Sequence, residues 1–189
     1  MTKEEAKAII QKLVERFAEH RKEYHLPEYN EQKTRQDFIN PFFKALGWDI
    51  DNEKGDSEAY REVIYEDILV VKGKAKAPDY GFRLSGSGKK RLFYVEAKKP
   101  SVQIKTNKES AYQLRRYGSS AGAHVSILTN FEDFIVYDCS KVPNLNDSAT
   151  VAKLKHISFQ HAINSFILKN SQMFTLCLHQ ENKKTFQNL

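Results

Sequence analysis

An aspartate that follows a proline, Pro78-Asp79, is itself followed seventeen residues later by Glu96-Ala97-Lys98. An acid, then an acid-x-lysine on a short apolar run, is what a metal-dependent phosphodiesterase needs. Two carboxylates are the usual protein share of a Mg²⁺ site, because that ion takes hard oxygen ligands and keeps several waters. The backbone carbonyl of Ala97 is the candidate third ligand. A metal so held lowers the pKa of a bound water and offsets charge on the scissile phosphate. Lys98 then orients or deprotonates the attacking water, or contacts the developing phosphorane oxygens; residue type does not separate these roles. An E-x-K pair on an exposed strand is also a common solvated salt bridge of little worth, so the elements that position it decide.

Tyr80 to Leu84 and Arg91 to Lys98 are rich in aromatic and branched residues, with Ser85-Gly86-Ser87-Gly88 between them. Two such runs around a glycine-containing turn read as a β-hairpin. Side chains on a strand alternate faces. Glu96 and Lys98 therefore share one face, Ala97 takes the other, and Asp79 can approach Glu96 across the hairpin.

Upstream, Lys3 to Tyr24 places Ala6, Ile9, Ile10, Leu13, Val14 and Phe17 at helical spacing. Asn30 to Leu46 is a second helix, with Phe38, Phe42 and Leu46 on one face and Gly47 as its stop. Pro41 inside that pattern allows a kink or a break into two helices. Arg61 to Val71 alternates and reads as one strand. A loop at Pro100 to Asn107 follows the hairpin, then a helix over Lys108 to Gly118. His124 to Leu128 and Phe134 to Asp138 read as strands. Val151 to Leu168 is a helix, or a strand followed by a helix. Ser171 to Leu189 matches no pattern and reads as a linker or frayed end.

These segments carry a resemblance. Thr34-Arg35-Gln36-Asp37-Phe38-Ile39-Asn40-Pro41-Phe42-Phe43-Lys44-Ala45-Leu46-Gly47-Trp48-Asp49 resembles the opening helix of a restriction endonuclease family. The same holds for Tyr60-Arg61-Glu62-Val63, Pro78 to Phe82, Val95 to Val102, Ala111 to Tyr117, Leu128 to Glu132 and Val136 to Asp138. Together, over roughly residues 28 to 140, they look like the amino-terminal nuclease domain of type IIG restriction-modification enzymes, within the PD-(D/E)xK superfamily. The nuclease domain of the type I restriction subunit is a close relative. The resemblance implies an α/β fold with a restriction-endonuclease-like core, a mixed β-sheet flanked by helices. It also implies a Mg²⁺-dependent DNA endonuclease, with Mn²⁺ able to substitute. Such domains sit ahead of an adenine methyltransferase and a target-recognition domain. No N-P-P-Y run stands in this chain, and Gly86-Ser87-Gly88 reads as the hairpin turn and not as a methyl-donor loop.

The resemblance also points to supporting residues. Gln113 and Tyr117 share a helix face and match the Q-x-x-x-Y element of RecB-like and type I nucleases, which suggests that they line the site. The structural alternative is a Tyr packed on the sheet. Many members of the superfamily bring a helix-borne Glu to the metal. Glu31 and Glu28 both fit, although an acid in a first helical turn also complements the helix dipole. On the helix after the hairpin, Arg115 and Arg116 either reach phosphate or lie solvated. Lys99 faces away from Lys98 and reads as structural or phosphate-steering. Trp48 reads as core.

The 189 residues are enough for one domain with a sizeable core. The expected division is an amino-terminal helix over 1–27, a nuclease core over 28–140 and a partly helical extension or linker over 141–189. Net charge is +6, unevenly placed. Lys72 to Lys108 holds eleven Lys and Arg against two acids, whereas Met1 to Val71 holds eleven against sixteen. The basic segment surrounds the proposed acidic site, as suits a polyanion whose phosphate must approach carboxylates. Cys139 and Cys177 are too few and too isolated for a disulfide framework or a zinc site. The six histidines show no metal spacing. No secretory segment and no run of transmembrane length is present, so a cytoplasmic protein without membrane attachment is expected.

The expectation is therefore a DNA endonuclease acting on double-stranded DNA. Asp79 and Glu96 bind metal with the Ala97 carbonyl, Lys98 handles water or phosphate, and Gln113, Tyr117 and Glu31 support them. Separate methyltransferase and specificity domains or subunits would supply the recognition sequence. Cutting two strands with one site per chain implies transient pairing of two copies. The alternative is a DNA-binding or assembly module of the same fold that does not cut; a nuclease for RNA or structured ends is a weaker third reading.

Overall fold

The structure, a computed structural model, describes residues 1–67, 69–71, 74–88 and 90–159. Cys177, the helix expected toward Leu168 and the segment from Ser171 onward lie outside the described residues.

Helix α1 (Lys3–Glu19) begins at a capping box. Thr2 accepts from the Glu5 backbone N–H, and the Glu5 side chain accepts from that of Thr2. Its buried face is Ala6, Ile10, Leu13, Val14 and Phe17, the apolar series read from the sequence less Ile9, which is exposed. The helix stops at His20, and the expected last turn becomes the separate α2 (Arg21–Tyr24).

The second helical run is not broken at Pro41. It passes from α3 (Glu31–Thr34), capped by Asn30, through a π-helical turn (Arg35–Ile39) into α4 (Asn40–Ala45). Proline has no N–H for the carbonyl four residues before it. That carbonyl, of Asp37, instead accepts from the Arg16 guanidinium on α1. Gly47, at φ 92°, takes the left-handed conformation that closes the run.

Six strands form one mixed sheet in the order β1-β4-β5-β6-β7-β8. They are β1 (Val63–Tyr65), β4 (Tyr80–Phe82), β5 (Phe93–Ala97), β6 (Val125–Thr129), β7 (Asp133–Asp138) and β8 (Lys153–Ser158). Among the described residues only β5 and β6 run parallel, and α5 (Lys108–Ala121) is the crossover that a parallel pair requires. The architecture is the mixed sheet flanked by helices expected from the sequence. No helix of the described residues is long and apolar enough to cross a membrane.

One expected strand divides. Arg61 to Val71 yields β1 and then β2 (Leu69–Val71), which leaves the main sheet to pair with β3 (Lys74–Lys76). The division falls at Glu66, whose φ of 47° takes the chain out of the strand conformation while its N–H bonds the Asp79 carbonyl. Val151 onward resolves as the strand alternative, β8, so the sheet draws its last strand from beyond residue 140.

Two apolar clusters flank the sheet. One packs α1, the π turn and α4 against Tyr80, Phe82, Phe93, Val95, Ala97 and Phe134. Trp48 belongs to it, 2 % exposed and edge-on to Phe82 and Phe93, the core role expected of it. The other packs Ala111 and Leu114 of α5 against Tyr94, Leu128, Ile135 and Tyr137. Helix α5 lies close on the sheet at Gly118, where an added Cβ would come within 2.6 Å of the Cys139 side chain. Burial pushes the Cys139 thiol up to about 11, which makes it an inert packing group.

Candidate active site

The register of the hairpin positions the two acids. Tyr80 pairs with Val95, which sets Asp79 abreast of Glu96 one residue further along. Alternation turns both away from the aromatic cluster that holds Tyr80, Val95 and Ala97. Asp79 is held at both oxygens. Its Oδ2 accepts from the Ala97 backbone N–H at 2.7 Å, and its Oδ1 accepts from Arg35 Nη1 at 2.8 Å.

Glu96 is buried, 4 % exposed. Its Oε1 accepts from Lys98 Nζ at 2.8 Å and from Gln113 Nε2 at 3.1 Å. Its Oε2 is buried and has no hydrogen-bond partner among the described residues. Burial pushes the Glu96 carboxyl up to about 7, and the Asp79 charge adds to the rise while Lys98 opposes it.

Lys98 also lies 3.7 Å from Glu31 Oε1. Burial alone would lower the Lys98 ammonium, but the charge and hydrogen bond of Glu96 outweigh it and raise the group. Lys98 is thus a protonated donor beside Glu96.

Helix α5 begins at Asn107, whose side chain accepts from the Ser110 N–H at 2.9 Å. One turn on, Gln113 Nε2 donates to Glu96 and also to Tyr117 Oη at 2.7 Å. Burial first, then the Glu96 charge, raises the Tyr117 phenol, so it stays neutral. The structure thus gathers Glu96, Lys98, Gln113 and Tyr117 in one contact chain, with Glu31 reaching it through Lys98 and Asp79 abreast of Glu96 in the register. Glu28 has no place there: it is exposed, and its carbonyl accepts from Lys33. Ala97 contributes its N–H to Asp79, while its side chain lies in the core.

Three arginines differ from expectation or escaped it. Arg115 is buried and bound to Asp147 at 2.7 Å, so it pins the loop after β7 and does not reach phosphate. Arg116 stacks its guanidinium over Tyr112, 5.5 Å from the ring centroid. Arg35 was not foreseen as a site residue. Its partner is 44 positions away, and no local pattern marks such a pair.

The donors fit a hard divalent cation. The two carboxylates stand abreast in the register, and one buried oxygen, Glu96 Oε2, lacks a partner among the described residues, a costly condition that a cation would relieve. No cluster of three or more His, Cys, Asp or Glu side chains suited to a metal occurs among the described residues. A site here would combine the two carboxylates with backbone oxygen and water.

No family model matches the chain. It is 39% identical over 159 residues to the type II restriction enzyme and methyltransferase RM.Eco57I of Escherichia coli, an alignment covering 83% of this chain and 16% of that protein. It also aligns with the crystal structure of the type IIG restriction endonuclease BpuSI at 20% identity and a TM-score of 0.43, over 82% of this chain and 16% of that one. The chain therefore spans about a sixth of the length of each. The similarity to RM.Eco57I accords with the resemblance to type IIG restriction enzymes read from the sequence.

Proposed function

We propose that this chain is a Mg²⁺-dependent DNA endonuclease domain of the restriction type, with Mn²⁺ able to replace Mg²⁺. The observation that carries the reading is the buried, unpartnered Oε2 of Glu96 beside Asp79 and Lys98. It is joined by 39% identity to a protein named as a restriction enzyme. Asp79, Glu96 and the carbonyl of Ala97 would hold the metal, which would acidify a bound water and offset phosphate charge.

The chain's own groups do the rest. The Ala97 N–H fixes the Asp79 carboxylate, and Gln113 with Tyr117 fixes Glu96. Lys98, an ammonium, is set to donate to the attacking water or to a phosphate oxygen. Glu31 steadies Lys98 from the helical side. The basic run from Lys72 to Lys108 draws double-stranded DNA to this edge. Residues 28–140 carry the chemistry. Sequence recognition and methylation belong to further domains or subunits, as the methyltransferase in the relative's name suggests. Two copies pair transiently to cut both strands, and the protein works in the cytoplasm.

The test is supercoiled plasmid incubated with purified protein in Mg²⁺, in Mn²⁺ and in EDTA, beside Lys98→Ala. Metal-dependent nicking by wild type and none by the variant is the expected result. Plasmid binding with no nicking in either metal at high protein concentration would replace this reading with a non-cleaving DNA-binding module.

A further inference from the structure

The Asp79 carboxylate presents an unusual arrangement for a metal ligand. Its two oxygens have separate tasks. Oδ2 is tied to the backbone N–H of Ala97, and Oδ1 is taken by the guanidinium of Arg35. The backbone bond ties one oxygen to the sheet, and the side chain of Arg35 engages the other.

Three carboxylates at the site share two cations. Lys98 serves Glu96 and approaches Glu31, and Arg35 serves Asp79. Arg35 stands on the π-helical turn. The inserted residue of such a turn shifts the side chains around it, and these turns are frequent at functional sites. The body of that helix packs on the aromatic face of the sheet through Phe38 and Ile39. Arg35 nevertheless bonds Asp79, whose side chain alternation turns away from that face. Its side chain keeps 21% of its surface exposed, so solvent, and a ligand arriving from solvent, can reach it.

We infer that Arg35 is a displaceable counter-ion: it holds Oδ1 of Asp79 while the site is empty of metal, yields that oxygen to a divalent cation, and then binds the DNA phosphate. This rests on the nuclease reading above. The physical reason is repulsion. A guanidinium and a dication cannot share one carboxylate oxygen at close range in a partly buried site without strong mutual cost. A guanidinium released there is a planar fork suited to a phosphate's paired oxygens. Metal binding adds positive charge where a phosphate must sit, and Arg35 adds one further donor at the same moment.

The inference makes a prediction that a merely structural arginine does not share. Arg35→Gln should bind Mn²⁺ more tightly than wild type, by about threefold or more, because a competing cation is gone. Arg35→Lys, which keeps the charge, should stay near wild type. The measurement is calorimetric titration of Mn²⁺ into each protein without DNA, with Asp79→Ala as the reference for loss of the site. The same proteins are then titrated with a duplex oligonucleotide in Ca²⁺ across a salt series. Arg35→Gln should bind the duplex more weakly, and its log–log salt slope should be shallower by about 0.9, the value of one lost phosphate contact.

A second measurement needs no variant. The Arg35 side-chain N–H resonance of wild type should shift when Mg²⁺ is added and shift again with DNA. Unchanged or weaker Mn²⁺ affinity in Arg35→Gln, or an Arg35 resonance indifferent to Mg²⁺, overturns the inference and leaves the nuclease reading standing. An unchanged salt slope overturns the phosphate contact. If wild type takes up no more Mn²⁺ than Asp79→Ala, the metal reading fails and the inference falls with it.

Discussion

The two faces of strand β5 show how one short segment serves two ends. Phe93, Val95 and Ala97 enter a cluster of aromatic rings contributed by α1, the π turn and α4. Tyr94 and Glu96 turn to the α5 side, where the apolar cluster holds Tyr94 and the polar groups gather at Glu96. The aromatic face has redundancy: Phe93 lies 4.6 Å from Phe82 and 5.7 Å from Trp48, ring centre to ring centre. The other face has none. Glu96 Oε1, Lys98, Gln113 and Tyr117 each have one or two partners there, and Glu96 Oε2 has none among the described residues. Stability lies in the first face, and that stability holds the second in an arrangement that is unfavourable without a ligand.

The largest expected effect on stability tests the first face. Phe93→Ala should cost about 3–5 kcal/mol, the usual range for emptying a buried ring position. Chemical denaturation with matched slopes would read it. A loss under about 1 kcal/mol would mean that the cluster closes over the gap and that the face is not the anchor proposed.

The second face should behave in the opposite way when its charge is removed. The Glu96 carboxyl is pushed from 4.5 to about 7 by burial and by Asp79. Its folded value is the higher one, so its contribution to stability is fully present below about 4.5 and is lost as pH rises toward about 7. That gap corresponds to roughly 3 kcal/mol. Metal-free Glu96→Gln should therefore melt above wild type at pH 8, with the difference vanishing near pH 4.5. Mg²⁺ should raise the melting point of wild type and leave the variant unmoved. Equal melting of the two proteins at pH 8 in EDTA would remove the claim that Glu96 is held at a cost to stability.

The contrast also explains what was legible. The hairpin was, because a glycine turn between alternating runs is a local signal, and its register places Asp79 beside Glu96 without further information. The Gln113 and Tyr117 pair was, because four residues make one helical turn. The helical run over Asn30 to Leu46 was, but the way it passes Pro41 was not, since the Asp37 carbonyl finds its donor on α1, 21 residues away. Nor was the division at Glu66, where a non-glycine residue takes a positive φ to meet the Asp79 carbonyl. Arg115 and Arg35 fail for the same reason: the partners Asp147 and Asp79 are distant in sequence, and a lone arginine carries no mark of which acid it will meet. Local chemistry was readable, and long-range charge pairing was not.

The smallest effect sharpens the comparison most. Tyr117 is 2% exposed, and its hydroxyl oxygen accepts from Gln113, which also donates to Glu96. Tyr117→Phe keeps the ring and removes one hydrogen bond of about 1 kcal/mol. If Tyr117 acts only by holding Gln113 on Glu96, cleavage should slow by about fivefold. The Gln113→Ala variant should lose more, because it strips Glu96 Oε1 of a direct donor. The double variant should then be no slower than Gln113→Ala alone, since the hydroxyl would have nothing left to position. Single-turnover cleavage rates at saturating Mg²⁺ decide it. Losses that multiply would mean that the phenol touches DNA or the attacking water in its own right. The polar face would then contain two independent contacts on α5 where the geometry shows one chain of donors ending at Glu96.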